Sequence, residues 1–198
     1  MREARCEIAF TLIELIVVIA VITILMALLF PAFQSVQDQA KRTQAKNDLT
    51  QIVTAVNAFY TEYGKYPLTA TVETTFGPGG SPLTNETLLN PLRGLDTTLN
   101  PRQIIFISPP DVKDKTSPRS GIGTDTTNIG QLFDPWGQNY VVRIDADYNN
   151  QVANPYTQNA GAPNLQLGVI AWSLGKDVGG GSGDKKAGTS DDDVISWQ

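Results

Sequence analysis

The chain contains no histidine and a single cysteine, Cys6. The first absence removes Ser-His-Asp and Cys-His catalysis, together with histidine-ligated zinc. The second leaves no intramolecular disulfide, so the fold must be held without one. Positive charge is also short: 15 Lys and Arg against 20 Asp and Glu give a formal charge of −5. A nucleic-acid surface needs clustered positive charge, so this balance argues against nucleic acid as a partner. Mild acidity suits a solvated surface and carboxylates gathered around a metal equally well. A length of 198 residues holds one ordinary domain with room for an anchor or tail.

What the sequence does have is a long apolar run. Leu15 to Phe33 reads LIVVIAVITILMALLFPAF, 19 residues without a charge. As a helix it would span roughly 28 Å, the hydrocarbon thickness of a bilayer. A buried core helix is usually shorter and carries polar positions on one face, so the run predicts a single membrane-spanning helix. A cleaved secretory signal would need a basic start, a shorter apolar core and a small-residue cleavage site after it. Here the run continues into the helical pattern FPAFQSVQDQAKR, and the start MREARCEIA mixes Arg2 and Arg5 with Glu3 and Glu7. Glu14 stands at the head of the run, where a charge costs at least ~2.5 kcal/mol at membrane depth. It must meet a partner, be protonated, or snorkel to the interface.

Beyond the run, Leu49, Ile52, Val53, Val56, Phe59, Tyr60 and Tyr63 recur at three- and four-residue steps, which predicts an amphipathic helix with one face to bury. YGKYP ends it near residue 63: Gly64 suits a C-cap and Pro67 cannot continue the helix. Residues 68–130 form a Thr-, Pro-, Gly- and Asn-rich variable region with one short helical candidate, NETLLNPLRGL. Strand candidates are QIIFIS (103–108), NYVVRID (139–145), LGVIAWSL (167–174) and DVISW (193–197). The expected fold class is α+β, a long N-terminal helix packed on a small antiparallel sheet. In FDPWGQNY, Asp134-Pro135-Trp136-Gly137 suits a type I turn.

The carboxyl end, SLGKDVGGGSGDKKAGTSDDDVISW, sets Asp177 before a glycine-rich loop and Asp191, Asp192 and Asp193 after it. Three adjacent carboxylates repel unless a cation sits among them, and calcium takes six to eight oxygens from carboxylates and carbonyls. A mobile acidic tail is the plainer reading of the same composition. DADYNN, from Asp145, spells the start of an EF-hand loop, but Asn150 replaces the required Gly and Tyr156 the final Glu. It reads as a strand-edge turn.

AFTLIELIVVIAVITILMALLFPAF resembles the N-terminal signature of type IV pilins and type II secretion pseudopilins. The resemblance implies a leader (1–9) removed by prepilin peptidase between Ala9 and Phe10, with methylation of the new amine at Phe10. It implies an assembly helix (10–33) in which Glu14, fifth in the mature chain, faces the terminal amine of a neighbouring subunit. Pro31 matches the family's helix-kinking proline, and Ala9 stands where the family nearly always has Gly. DPWGQNY and SLGKD resemble segments of the major pseudopilin. For that group the resemblance implies one Ca2+, held by side chains of Asp177, Asp192 and Asp193, with Asp191 as a substitute and carbonyls of Leu174 and Ser190. Val178 replaces the family's Gly, and Lys185 and Lys186 lie in a longer loop.

The implied function is a structural, non-enzymatic subunit of a type II secretion pseudopilus. It would sit in the bacterial inner membrane by a single pass, with residues 34–198 in the periplasm. Its implied partners are its own copies, minor pseudopilins, prepilin peptidase and the inner-membrane secretion platform. A type IV pilin or minor pseudopilin is the nearest alternative. Surface pilins often carry a C-terminal disulfide that Cys6 could not supply, and tip subunits often lack the Glu at the fifth position. A membrane-tethered enzyme would need a nucleophile and base, and no such pair presents itself.

Overall fold

Helix α1 runs from Leu12 to Tyr63. The computed structural model describes residues 11–78, 83–177, 179 and 181–198, with the backbone alone at 28, 31 and 32. α1 ends where the YGKYP segment requires it. Gly64 adopts a left-handed φ of 65°, and its N–H donates to the Tyr60 carbonyl at 2.8 Å. A residue with a Cβ would be strained there. The chain divides into two units, Met1–Ala40 and Lys41–Gln198.

In the first unit the described residues after Thr11 are all helical. Leu15, Ile16, Val17, Val18 and Ile19 follow one another and are all at least 45% exposed. Successive residues point around the whole helix, so within the chain its apolar surface is uncovered on every side.

The second unit begins within α1, whose residues Ala45, Leu49, Ile52, Val56 and Phe59 are fully buried. Their three- and four-residue spacing is the predicted stripe. Tyr60 departs from it: 39% exposed, it stacks on Tyr66 at 4.8 Å. After α1 come β1 (Thr74–Phe76), helix α2 (Asn85–Leu92), β2 (Gly121–Ile122), β3 (Leu132–Phe133), β4 (Val141–Ile144), β5 (Val152–Ala153), β6 (Tyr156–Gln158), β7 (Asn164–Leu165), β8 (Val169–Ser173), β9 (Gly183–Asp184) and β10 (Val194–Ile195).

The main sheet has the order β1-β4-β8-β10, antiparallel throughout, with Val142 opposite Ala171 and Ile195 opposite Trp172. Its side chains alternate between two cores. Val142, Ile144, Val169 and Ala171 join the α1 stripe. Val141, Ile170 and Trp172 face a second cluster with Val152, Tyr156, Leu165 and Leu174. Both faces are therefore covered, and all of β8 is buried. That explains why LGVIAWSL reads as a continuous apolar run rather than an alternation. The fold is α+β, as expected.

One expected strand does not form. Residues 103–108 carry no strand, because their backbone groups are satisfied elsewhere. The Asn100 side chain donates to the Ile104 carbonyl (2.7 Å) and accepts its N–H (3.1 Å). Phe106 and Ile107 both donate to the Leu92 carbonyl at the end of α2. Their apolar side chains still reach the α1 core. The variable region also supplies an element the sequence pattern did not reveal, β1, which forms one edge of the main sheet.

Candidate functional site

Two places carry the residues singled out by sequence. The first is the start of α1. Ala9 and Phe10 lie outside the described residues. Thr11 immediately precedes the helix, and its Oγ1 accepts the Glu14 N–H at 3.3 Å. Thr11 and Glu14 thus occupy the first and last places of a Ser/Thr-x-x-Glu capping pattern, which starts a helix by satisfying its free N–H groups. Sequence reading assigned Glu14 only an intermolecular task, and this local one was readable from the same four residues. Pro31 lies within the bounds of α1, which continues through it.

No helix among the described residues is by itself long and apolar enough to cross a membrane. The sequence is uncharged from Leu15 to Phe33, and the backbone is helical through that stretch.

The second place is the loop between β8 and β10. It begins at Ser173, whose Oγ donates to Asp134 Oδ2 (2.5 Å) and accepts the Gly175 N–H (3.1 Å). Asp134 is fully buried, and its Oδ1 accepts the N–H groups of Trp136, Gly137 and Gln138 at 2.8–2.9 Å. The DPWG turn therefore forms as expected, and its aspartate also anchors the acidic loop. Burial raises the Asp134 pKa, with these hydrogen bonds opposing the rise.

Gly175 has a left-handed φ of 68°, and a Cβ there would lie 2.6 Å from Asp192 Cγ. Only glycine lets the two strands of the loop approach this closely. Asp192 Oδ2 accepts the Lys176 N–H and, at 3.4 Å, the Asp177 N–H. Asp193 is 3% exposed, and its Oδ2 accepts the Tyr156 hydroxyl (2.7 Å) and the Gly181 N–H (2.6 Å). Burial raises its pKa. The remaining oxygens, Asp192 Oδ1 and Asp193 Oδ1, are buried with no hydrogen-bond partner among the described residues.

The structure thus brings together part of the expected set. Asp192 and Asp193 turn inward beside the Gly175–Asp177 backbone. Asp177 and Asp191 are exposed, and the Asp191 carbonyl accepts the Lys185 ammonium at 3.4 Å. Leu174 is buried. Ser190 is buried with its hydroxyl donating to the Ser182 carbonyl (2.7 Å). Among the described residues no three Asp, Glu, Cys or His side chains converge as a metal cluster. The sequence names Tyr156 only as the residue in place of an EF-hand's final Glu, and nothing local marks it as a partner of Asp193. The Asp145 segment is a turn, in which Asp145 accepts the N–H groups of Asn149 and Asn150.

Residues 5–30 match the family model of the prokaryotic N-terminal methylation motif. No curated protein and no solved structure matches the chain. The motif makes the chain type IV pilin-like at its N-terminus, and the long helix with an antiparallel sheet is consistent with a pilin-like fold.

Proposed function

We propose that the protein is a structural subunit of a type II secretion pseudopilus, anchored in the inner membrane with its second unit in the periplasm. One observation carries this reading: the methylation motif leads directly into a helix whose apolar side chains are uncovered on every side. A helix apolar all round is stable in a membrane or buried among other helices. Assembly of copies supplies both environments in turn, first the bilayer and then a fibre packed from neighbouring helices. Prepilin peptidase would cut between Ala9 and Phe10 and methylate the new amine. On this reading the protein acts as a structural subunit, without catalysis. Its further partners on this reading are minor pseudopilins and the membrane platform that drives assembly.

Co-expression with a prepilin peptidase is the direct test. The expected product begins at Phe10 and carries one added methyl group by mass spectrometry. A chain that stays intact at Ala9 beside an active peptidase would overturn the proposal.

We propose further that the acidic loop holds one calcium ion. Two buried carboxylate oxygens have no hydrogen-bond partner among the described residues; a cation would neutralise their charge, and leaving them unpaired is costly. Asp192 and Asp193 would hold the ion, with the carbonyls of Leu174 and Ser190 as further donors and Asp177 or Asp191 drawn from the rim. The ion would supply positive charge that locks the loop shut. Ligand linkage then gives about 2.7 kcal/mol of stabilisation at a hundredfold excess over Kd. Melting of the full chain in detergent should therefore rise from chelator to millimolar calcium, and Asp193→Ala should remove the rise. Equal melting under both conditions would discard the ion.

A further inference from the structure

The two inward carboxylates share an unusual arrangement. Each has Oδ2 occupied by protein donors and Oδ1 buried without a partner among the described residues. For Asp192 the donors are backbone N–H groups of the adjoining loop. For Asp193 one donor is a side chain 37 residues away, the hydroxyl of Tyr156.

Tyr156 is held rigidly. It is 1% exposed and sits in β6, which pairs in parallel with β9 of the acidic loop, Tyr156 opposite Gly183. Its N–H donates to Asn154 Oδ1 at 3.1 Å. Its ring lies 6.0 Å from that of Trp197, whose indole N–H is fixed on the Ala160 carbonyl at 2.7 Å. The phenol oxygen is therefore placed by a second core and by a strand pairing, independently of any ion.

We infer that Tyr156 is a positioning residue for the cation site, holding Asp193 Oδ2 back so that only Oδ1 is presented to the ion. The inference rests on the calcium reading above. Calcium accepts carboxylates through one oxygen or two, so the protein decides which mode is used. With the hydroxyl in place, the second oxygen is engaged at 2.7 Å and turned away. Without it, the Gly181 N–H alone restrains that oxygen, and the carboxylate is free to swing both oxygens toward the ion. Partners of this kind orient metal ligands, and their loss typically costs 10–100-fold in affinity.

The test uses the full chain in detergent, titrated with calcium chloride by calorimetry. Tyr156→Phe is expected to weaken calcium binding about tenfold or more while the metal-free melting curve stays cooperative. In an Asp193→Asn background the same change should have no further effect on residual binding, because the hydroxyl acts through that carboxylate. A role confined to packing would lower stability equally in both backgrounds and leave affinity alone. A second measurement needs no variant. The infrared difference spectrum of the wild-type chain, with calcium minus without, should show the wide carboxylate-stretch separation of one-oxygen coordination. Tyr156→Phe should narrow it. Calcium binding of unchanged strength in Tyr156→Phe, or a two-oxygen signature in the wild type, would overturn the inference. A wild-type chain that binds no calcium would overturn the calcium reading, and the inference with it.

Discussion

Replacing Glu14 with glutamine should leave the subunit folded and membrane-bound yet lower fibre assembly about a hundredfold or more. Glu14 lies in the first turn of α1, and the Thr11-x-x-Glu14 spacing gives it two separable tasks. One is local: a Glu or Gln at the third helical position completes the capping pattern that Thr11 opens. Glutamine keeps that geometry, so Glu14→Gln leaves the helix start intact. The other is intermolecular. On the proposed reading, cleavage exposes a positive amine at Phe10, and Glu14 of the neighbouring subunit meets it in low dielectric. Removing one member of a buried pair leaves the other uncompensated, at about 3–5 kcal/mol. At about 1.4 kcal/mol per tenfold, that is more than two orders of magnitude in association. Counting sheared fibres by electron microscopy, with immunoblots for subunit amount, reads the effect. Glu14→Ala, which loses both tasks, serves as the comparison. If Glu14→Gln assembles like the wild type and only Glu14→Ala fails, Glu14 is a helix cap, and the register-setting role is rejected.

Glu14 also illustrates which parts of the molecule sequence makes legible. Features within one turn or one strand could be read directly. The stripe Leu49, Ile52, Val56 and Phe59, the stop at Gly64, the helix at Asn85–Leu92 and the central strands β4 and β8 all follow from local pattern. Residues 103–108 have an apolar pattern that fits a strand equally well, but Asn100 and Leu92 satisfy their backbone first. The two-residue strands β5, β7 and β9 are too short for any periodicity to show. At the acidic loop, composition picked out four carboxylates, of which Asp192 and Asp193 turn inward and Asp177 and Asp191 face solvent. Charge content shows that acids are near one another in sequence, whereas which ones turn inward depends on donors brought from far away. Tyr156 and Ser173 are such donors, and no local signal marks either.

Asp134 carries the largest expected effect on stability. Its buried carboxylate joins three N–H groups of the DPWG turn to the Ser173 hydroxyl, 39 residues away. Asp134→Ala strands four donors at once. Unpaired buried donors cost about 1–3 kcal/mol each before relaxation, and a net loss of about 3–5 kcal/mol places the change among the severe single substitutions. For a chain of this size that lowers Tm by about 10 °C. Asp134→Asn keeps one acceptor for the three turn N–H groups and turns its amide toward Ser173 Oγ, so it should cost about 1 kcal/mol.

The two variants also separate hydrogen bonding from charge. Because burial raises the Asp134 pKa, the folded chain holds this proton at pH values where the unfolded chain, near 3.9, has lost it. Between those values folding takes up a proton, so Asp134 favours the native state at the acid end. That contribution fades as pH climbs through the folded value. Asparagine has no proton to exchange, so the Asp134→Asn deficit in Tm should be greatest at acid pH and shrink as pH rises. A deficit that instead grew toward neutral pH would mean that the folded carboxylate is stabilised as an anion by its donors. Hydrogen bonding, and not burial, would then dominate at the junction between the DPWG turn and the acidic loop.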